Sequence, residues 1–343
     1  MEIIKHTLDE QVSIPPTFKE LISCKDICFL DIETTGFNKQ NNHIILIGML
    51  YSSGTETEIL QFFTDSQENE KNLLQEFVKY ITKVAMIVTF NGDAFDIPFI
   101  NSRLALHNID YQIDKTQCID ILKVVRAKKN LLDLEKYNLK SIEKLLGIDR
   151  DDTISGKESV EMYYDYIKSK DNNIKEIILR HNYEDIYNLT KVLKIFDVID
   201  KKSRVNLDTK YLSNNINITI KLENIKCSGN IMEVEGDTTI LELSDEIHYG
   251  EFHILKWYPR VGKFEISLQI KEGKLSDGSK CTYLDSKDLK LDISKIDKLN
   301  YNIPNNILIL SHNNKVVLNN IKILINYLWK ELSKSKFTVN KQR

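Results

Sequence analysis

The sequence predicts an α/β chain in two parts. The larger spans residues 1–198 and mixes strands with helices; the smaller, 199–343, is β-rich and ends in a helix. Three observations predict this. Apolar runs of strand length are interleaved with segments of helical periodicity as far as about residue 198. The character changes near Lys201-Lys202-Ser203-Arg204, and strict alternation follows in Ile216-Asn217-Ile218-Thr219-Ile220-Lys221-Leu222. The stretch 319–332 then places Ile321, Leu324, Ile325, Leu328 and Leu332 on one helical face.

Taken in order, residues 1–25 contain Pro15-Pro16 and predict an irregular lead-in with a short helix. Strands are expected at about 27–33, 43–51 and 57–63, an order that suits an antiparallel meander. Residues 68–83 carry Leu73, Leu74, Phe77, Tyr80 and Ile81 at helical spacing. A strand at 85–90, a helix at 97–106 and a short strand at 117–121 follow, and helices fill the rest to 198. In the second part the runs 216–222, 238–243, 252–258, 264–270 and 281–284 are separated by turn residues such as Ser228-Gly229 and Ser276-Asp277-Gly278. Their spacing suggests a small barrel or curled sheet covered by the last helix.

Composition narrows the class. With 42% hydrophobic and 28% charged residues, the chain is expected to be a soluble globular protein. No apolar run is long enough to span a bilayer, and the first residues lack a basic-then-apolar leader pattern, so a cytoplasmic location is expected. The five cysteines are scattered, which suits reduced thiols. Cys24 and Cys28 have a spacing that raises zinc, but no second Cys/His pair completes such a site. Net charge is −3 overall yet uneven: residues 201–343 hold 23 basic and 17 acidic residues, net +6, and residues 1–200 carry −9. The basic part could steer a polyanion, or simply be a solvated surface.

Chemistry is concentrated in Phe29-Leu30-Asp31-Ile32-Glu33-Thr34-Thr35-Gly36. On a strand, Asp31 and Glu33 share a face and Ile32 points the other way. Two like charges so close, partly out of water, call for a cation between them. Oxygen ligands of this kind suit Mg²⁺ or Mn²⁺. Two more segments matter: Asn91-Gly92-Asp93-Ala94-Phe95-Asp96 after an apolar run, and His181-Asn182-Tyr183-Glu184-Asp185 in a helical pattern.

Together the three segments resemble the motifs of the DEDD family of metal-dependent 3′–5′ exonucleases, which have an RNase H-like fold. Ser155-Gly156-Lys157-Glu158 with His181-Asn182-x-x-Asp185 is most similar to the YprB-like branch of that superfamily. The resemblance covers residues 20–198 and implies a mixed sheet with helices there. It also implies two Mg²⁺ or Mn²⁺ ions held by Asp31, Glu33, Asp96 and Asp185, with Asp31 bridging and Asp96 serving the second ion. Of the two carboxylates in the second motif, the Phe95-Asp96-x-Pro98 context favours Asp96, leaving Asp93 as an exposed turn residue. His181 would orient or deprotonate the attacking water. It sits four residues before Asp185, the spacing at which one DEDD subclass carries tyrosine.

Around this set, Thr34, Thr35 and Gly36 would form a turn against which a terminal nucleotide packs, with Phe37 or Phe95 as a stacking surface. Asn91 would tie down the turn after its strand. Ser155-Gly156-Lys157 lacks the glycine and hydroxyl pattern of a phosphate-binding loop. In the second part, Lys256-Trp257-Tyr258-Pro259-Arg260 interleaves bases with aromatics, so Trp257 and Arg260 are candidate nucleic-acid contacts, although inward-packing aromatics are the commoner outcome. The expected partner is DNA or RNA, entered at a single-stranded 3′ end, with no membrane partner. An RNase H-like endonuclease is one alternative. A silent nucleic-acid-binding or scaffold protein is another, but it has no need of four converging acids.

Overall fold

A computed structural model describes residues 1–22, 26–53, 56–150, 154–211, 214–285 and 295–339. Two compact units emerge, residues 1–127 with 134–198, and residues 128–133 with 199–343.

In chain order the first unit contains β1 (Glu2–Leu8), α1 (Pro16–Lys19), β2 (Ile27–Thr34), β3 (Ile44–Ser53), β4 (Glu56–Phe63), α2 (Glu70–Ile81), β5 (Met86–Thr89), α3 (Asp96–Leu106), β6 (Cys118–Asp120), α4 (Ile121–Ala127), α5 (Leu139–Leu146), α6 (Gly156–Ser169) and α7 (Asn172–Val192). Next comes α8 (Ile195–Ser203). The strands form one mixed sheet in the order β1-β4-β3-β2-β5-β6. Pairing is antiparallel from β1 to β2 and parallel from β2 through β5 to β6.

Helices cover both faces. Leu73, Leu74 and Phe77 of α2 and Ile97, Ile100 and Leu104 of α3 pack with Leu30, Ile32, Ile47 and Phe62. On the opposite face, Tyr163 and Tyr166 of α6 and Ile178 of α7 pack with Ile45, Leu46 and Phe63. A strand buried on both sides reads as a continuous apolar run, which is why β2 is so plain in the sequence. β1 is not: it replaces the irregular lead-in expected for the first residues. It is an edge strand with most of its residues at least partly exposed, so it lacks a buried face to mark it.

The second unit contains β7 (Arg204–Tyr211), β8 (Asn214–Ser228), β9 (Ile231–Thr238), β10 (Glu246–Tyr249), β11 (His253–Tyr258), β12 (Lys263–Gln269), β13 (Lys271–Lys274), β14 (Lys280–Asp285), β15 (Ile307–His312), β16 (Lys315–Val316) and α9 (Leu318–Val339). They make two antiparallel sheets, β10-β11-β12-β9-β8-β7 and β13-β14-β15-β16. The larger sheet keeps β10 and β7 as edges, so it is open rather than a closed barrel. Residues 128–133 belong to this unit: Asn130 Nδ2 donates to the Ile225 carbonyl at 2.7 Å, and Lys315 pairs with Asp133 at 2.8 Å. Of the expected strand at 238–243 only Thr238 is in a strand, as the end of β9: Thr219 N–H donates to Thr239 Oγ1 rather than to its carbonyl, and Leu241 N–H donates to the Pro259 carbonyl.

α9 buries Ile321, Leu324, Ile325, Leu328 and Trp329. The Trp329 ring meets Phe264 at 5.3 Å and Trp257 at 6.3 Å. This corrects the expectation for Trp257. Its ring is fully buried, and Nε1 donates to Thr238 Oγ1 at 3.1 Å, so it offers no surface to a base. Arg260 does face solvent, beside Glu242 at 3.9 Å. Four described cysteines, 28, 118, 227 and 281, are free thiols, whereas Cys24 lies outside the described residues. Among the described residues, no helix is long and apolar enough to cross a membrane.

Trp257→Ala should therefore cost about 3–5 kcal/mol of stability, the usual range for emptying a buried tryptophan site. Urea unfolding followed by circular dichroism checks this; an unchanged midpoint would show that the ring is not packed as described.

Candidate functional site: a carboxylate-lined cavity

Pairing between β2 and β5 stops at Phe29, two residues before Asp31. Beyond that point β2 continues against β3 alone, and a cavity of about 760 Å³ opens. Asp31, Glu33, Asp96, His181 and Asp185 all line it. Such a crevice beyond the carboxyl ends of parallel strands is where open α/β sheets commonly bind ligands.

Each residue is placed by a different element. β2 carries Asp31 and Glu33. Asp96 opens α3, nearly buried, and its Oδ1 accepts the Ile32 N–H at 3.2 Å, which ties the helix to β2. His181 and Asp185 lie one turn apart on α7, whose start is capped by Asp171 accepting from Asn173 N–H at 2.9 Å. One ligand atom each from Glu33, His181 and Asp185 lies within 4.8 Å of the others. His181 Nε2 is 3.5 Å from Glu33 Oε1 and 3.7 Å from Asp185 Oδ2.

The electrostatics follow from this crowding. Burial pushes the Glu33 carboxyl up to about 7; His181 pulls against that and Asp185 adds to it. Burial also pushes Asp96 up to about 7, against its backbone hydrogen bonds, with the charges of Asp120 and Asp185 raising it further. Asp31 is held well above the usual carboxylate range by desolvation and then by Asp185, Asp96 and Glu33, and only its bond from Asn182 pulls down. These acids lack enough positive charge around them. Carboxylate oxygens are the donors that fit Mg²⁺ or Mn²⁺, so the acids present, with His181 beside them, suit a divalent cation.

The flanking candidates separate. Thr34 and Thr35 are nearly buried and their hydroxyls serve the turn: Thr34 Oγ1 donates to the Gly36 carbonyl at 2.8 Å, and Thr35 Oγ1 accepts the His43 N–H at 2.9 Å. At Gly36 a Cβ would come within 2.9 Å of Asn42 Oδ1. Asn91 adopts φ of 70°, a left-handed conformation that asparagine tolerates, and its carbonyl accepts from Ala94 and Phe95. Phe37 is 91% exposed, with its ring 6.0 Å from that of Phe95 at the cavity. Ser155 caps α6 in a reciprocal pair with Glu158, which accounts for the Ser-Gly-Lys segment as helix chemistry. Lys157 is largely exposed, 3.6 Å from Glu161. Asp93 is only partly exposed, because Lys123 holds it at 2.9 Å.

Several residues here escaped the sequence. Asp120 accepts the backbone N–H groups of Asn91, Asp93 and Leu122 and so anchors the turn that delivers Asp96. Glu70 is fully buried. Burial alone would raise its carboxyl, yet it is held low by Arg103, His107, the Ile44 N–H and His43, at 2.8–3.0 Å for Arg103 Nε and the other three. Arg103 also donates to the Gln40 carbonyl at 3.2 Å, pinning the loop between β2 and β3. Arg150 bridges Asp185 and Glu143. Apart from the Leu122–Asp120 and Arg150–Glu143 contacts, these bonds join segments far apart in the chain, so no local pattern announces them.

Residues 28–196 match the family RNase_H_2 of the RNase_H superfamily. Relatives include the uncharacterized protein YprB of Bacillus subtilis, 27% identical over 168 residues, which are 48% of this chain and 40% of YprB. A DNA polymerase of Methanocaldococcus jannaschii is 24% identical over 177 residues, covering 43% of this chain and 11% of the polymerase. The chain thus spans less than half the length of either relative. Among solved structures, exonuclease I superposes with a TM-score of 0.34 at 13% identity, over 62% of this chain and 55% of that one, too loose a match to bear on function.

The raised carboxyls make stability depend on pH. Folded Glu33 and Asp96 keep protons that the unfolded chain releases at its ordinary, lower pKa. The cation-free protein should therefore lose stability as pH rises from about 4 towards about 7. Mn²⁺ should restore it at the upper end. Thermal melts from pH 5 to 8, in chelator and in Mn²⁺, check this. A chelator melting point that rises towards pH 7 would contradict the site as described.

Proposed function

We propose that this protein is a metal-dependent nuclease hydrolysing phosphodiester bonds of DNA or RNA, working as a 3′–5′ exonuclease on a single-stranded end with two Mg²⁺ or Mn²⁺ ions. The match of residues 28–196 to the RNase_H superfamily supports a nuclease. The observation that carries the reading is the convergence of four carboxylates and one imidazole on a single cavity beside an exposed phenylalanine. Without cations those acids would repel a phosphodiester, so a binding-only role leaves them unexplained.

Asp31, Glu33 and Asp185 would hold one cation, and Asp31 with Asp96 the other. Bound there, the ions would lower the pKa of the attacking water and stabilise charge on the leaving oxygen. His181 takes the proton from that water at Nε2. Glu33 and Asp185, each within 4 Å, favour the imidazolium that results. Phe37, with Phe95 behind it, offers its face to the terminal base. The second unit, net +6 over residues 201–343, contributes affinity for the polyanion, with Arg260 as one exposed contact.

End-labelled DNA and RNA, single- and double-stranded, with Mg²⁺, Mn²⁺ or chelator, test the reading. Stepwise shortening from the 3′ end is expected, and internal cuts would favour an endonuclease. Asp31→Ala and Asp185→Ala should abolish hydrolysis, as should chelator. His181→Ala should lower turnover by about two to four powers of ten, and His181→Tyr should retain more. Phe37→Ala should raise KM with little change in kcat. Full activity in Asp31→Ala would rule the mechanism out.

A further inference from the structure

Asn182 is fully buried, one residue after His181 on α7. Its amide carries two bonds: Nδ2 donates to Asp31 Oδ2 at 2.9 Å, and Oδ1 accepts from Gln61 Nε2 at 3.0 Å. Gln61, on β4, is itself only 1% exposed. The same Gln61 nitrogen donates to the Leu179 carbonyl at 2.8 Å.

These bonds have a fixed direction. A backbone carbonyl can only accept, so Gln61 must turn its nitrogen towards Leu179. That nitrogen then requires an acceptor from Asn182, which leaves the Asn182 nitrogen facing Asp31. The polarity thus runs from the backbone of α7 to the carboxylate at the end of β2. β3 makes room for it. Gly48 sits opposite Asp31 in the ladder, and a Cβ there would lie 2.2 Å from Asn182 Oδ1 and 1.9 Å from Ile186 Cδ1. Only glycine lets the amide sit so close to the sheet.

We propose that Gln61 and Asn182 are positioning residues: a polarised amide relay that commits Asp31 Oδ2 as an acceptor and turns Oδ1 towards a divalent cation. The cation in that statement rests on the nuclease reading, but the orientation of Asp31 does not. The relay also explains why three elements meet here with buried polar side chains, each of which would be costly without its partner.

Gln61→Glu is the discriminating variant, since it keeps the shape and removes both donors. Its carboxylate would face the Leu179 carbonyl and Asn182 Oδ1. The Asn182 amide would then flip and present its oxygen to Asp31. Mn²⁺ binding to the full chain without nucleic acid, followed by electron paramagnetic resonance, should weaken about 10- to 100-fold, the range seen when groups behind a metal ligand are changed. Asn182→Ala should weaken it as well. Circular dichroism reports whether each variant stays folded, and Gln61→Glu carries the test if the buried alanine variant does not. A folded Gln61→Glu protein that binds Mn²⁺ like the wild type overturns the relay, whatever its melting point, while leaving the nuclease reading intact. Wild-type protein that binds Mn²⁺, loses that binding in Gln61→Glu, and cuts no nucleic acid supports the relay and overturns the nuclease reading instead. Failure of the wild type to bind Mn²⁺ overturns both.

Discussion

Mutual repulsion among carboxylates at the open end of β2 is the constraint on which the rest of the first unit turns. Asp31, Glu33, Asp96 and Asp185 are gathered into one cavity, and three of them are pushed up in pKa by burial and by one another. Such a cluster persists only if the surrounding fold holds it together. Here the hold comes from many small bonds. Ile32 N–H grips Asp96, Asn182 grips Asp31, and Arg150 sits on Asp185. His181 lies between Glu33 and Asp185.

Two other buried acids show the contrast. Glu70 is as buried as any residue in the chain, yet its carboxyl is held low because Arg103, two histidines and a backbone N–H surround it. Asp120 is satisfied by the backbone N–H groups it caps. Both are structural: one pins the loop after β2, and the other pins the turn before α3. Burial alone therefore does not mark the site. What marks it is buried carboxyls whose few donors do not offset burial and mutual repulsion, which is the state a cation would relieve. The two satisfied acids act on the site indirectly, by fixing the loops that carry Phe37 and deliver Asp96.

The second unit obeys a plainer logic. Alternating strands place Trp257, Phe264 and Ile266 on the face that α9 covers, and charged residues such as Lys263 and Glu265 on the other. Its basic-aromatic segment resolves along this alternation. The tryptophan turns inward to a hydrogen bond with Thr238, and Arg260, in the turn after β11, faces water. Interleaving of bases and aromatics in a strand is what any half-buried strand produces, so the pattern carries little about ligands by itself.

The sequence by itself determined the most strongly patterned elements and the acid pair. β2 is legible because it is buried on both faces, α2 and α7 because their apolar residues repeat at 3.6, and Asp31 with Glu33 because period two puts them on one face. His181 and Asp185 share a helix face for the same kind of reason. All of these depend on spacing within one element, which a chain displays openly. Only the tertiary structure decided the rest. That β1 is a strand depends on its pairing with β4, and that Trp257 is core depends on α9. Residues 128–133 join the second unit through bonds to residues some 95 or more positions away. Gln61, Asn182 and Gly48 act on Asp31 from three separate elements. Hydrogen bonds and close approaches of this kind are set by distance in space, and no periodicity along the chain encodes them.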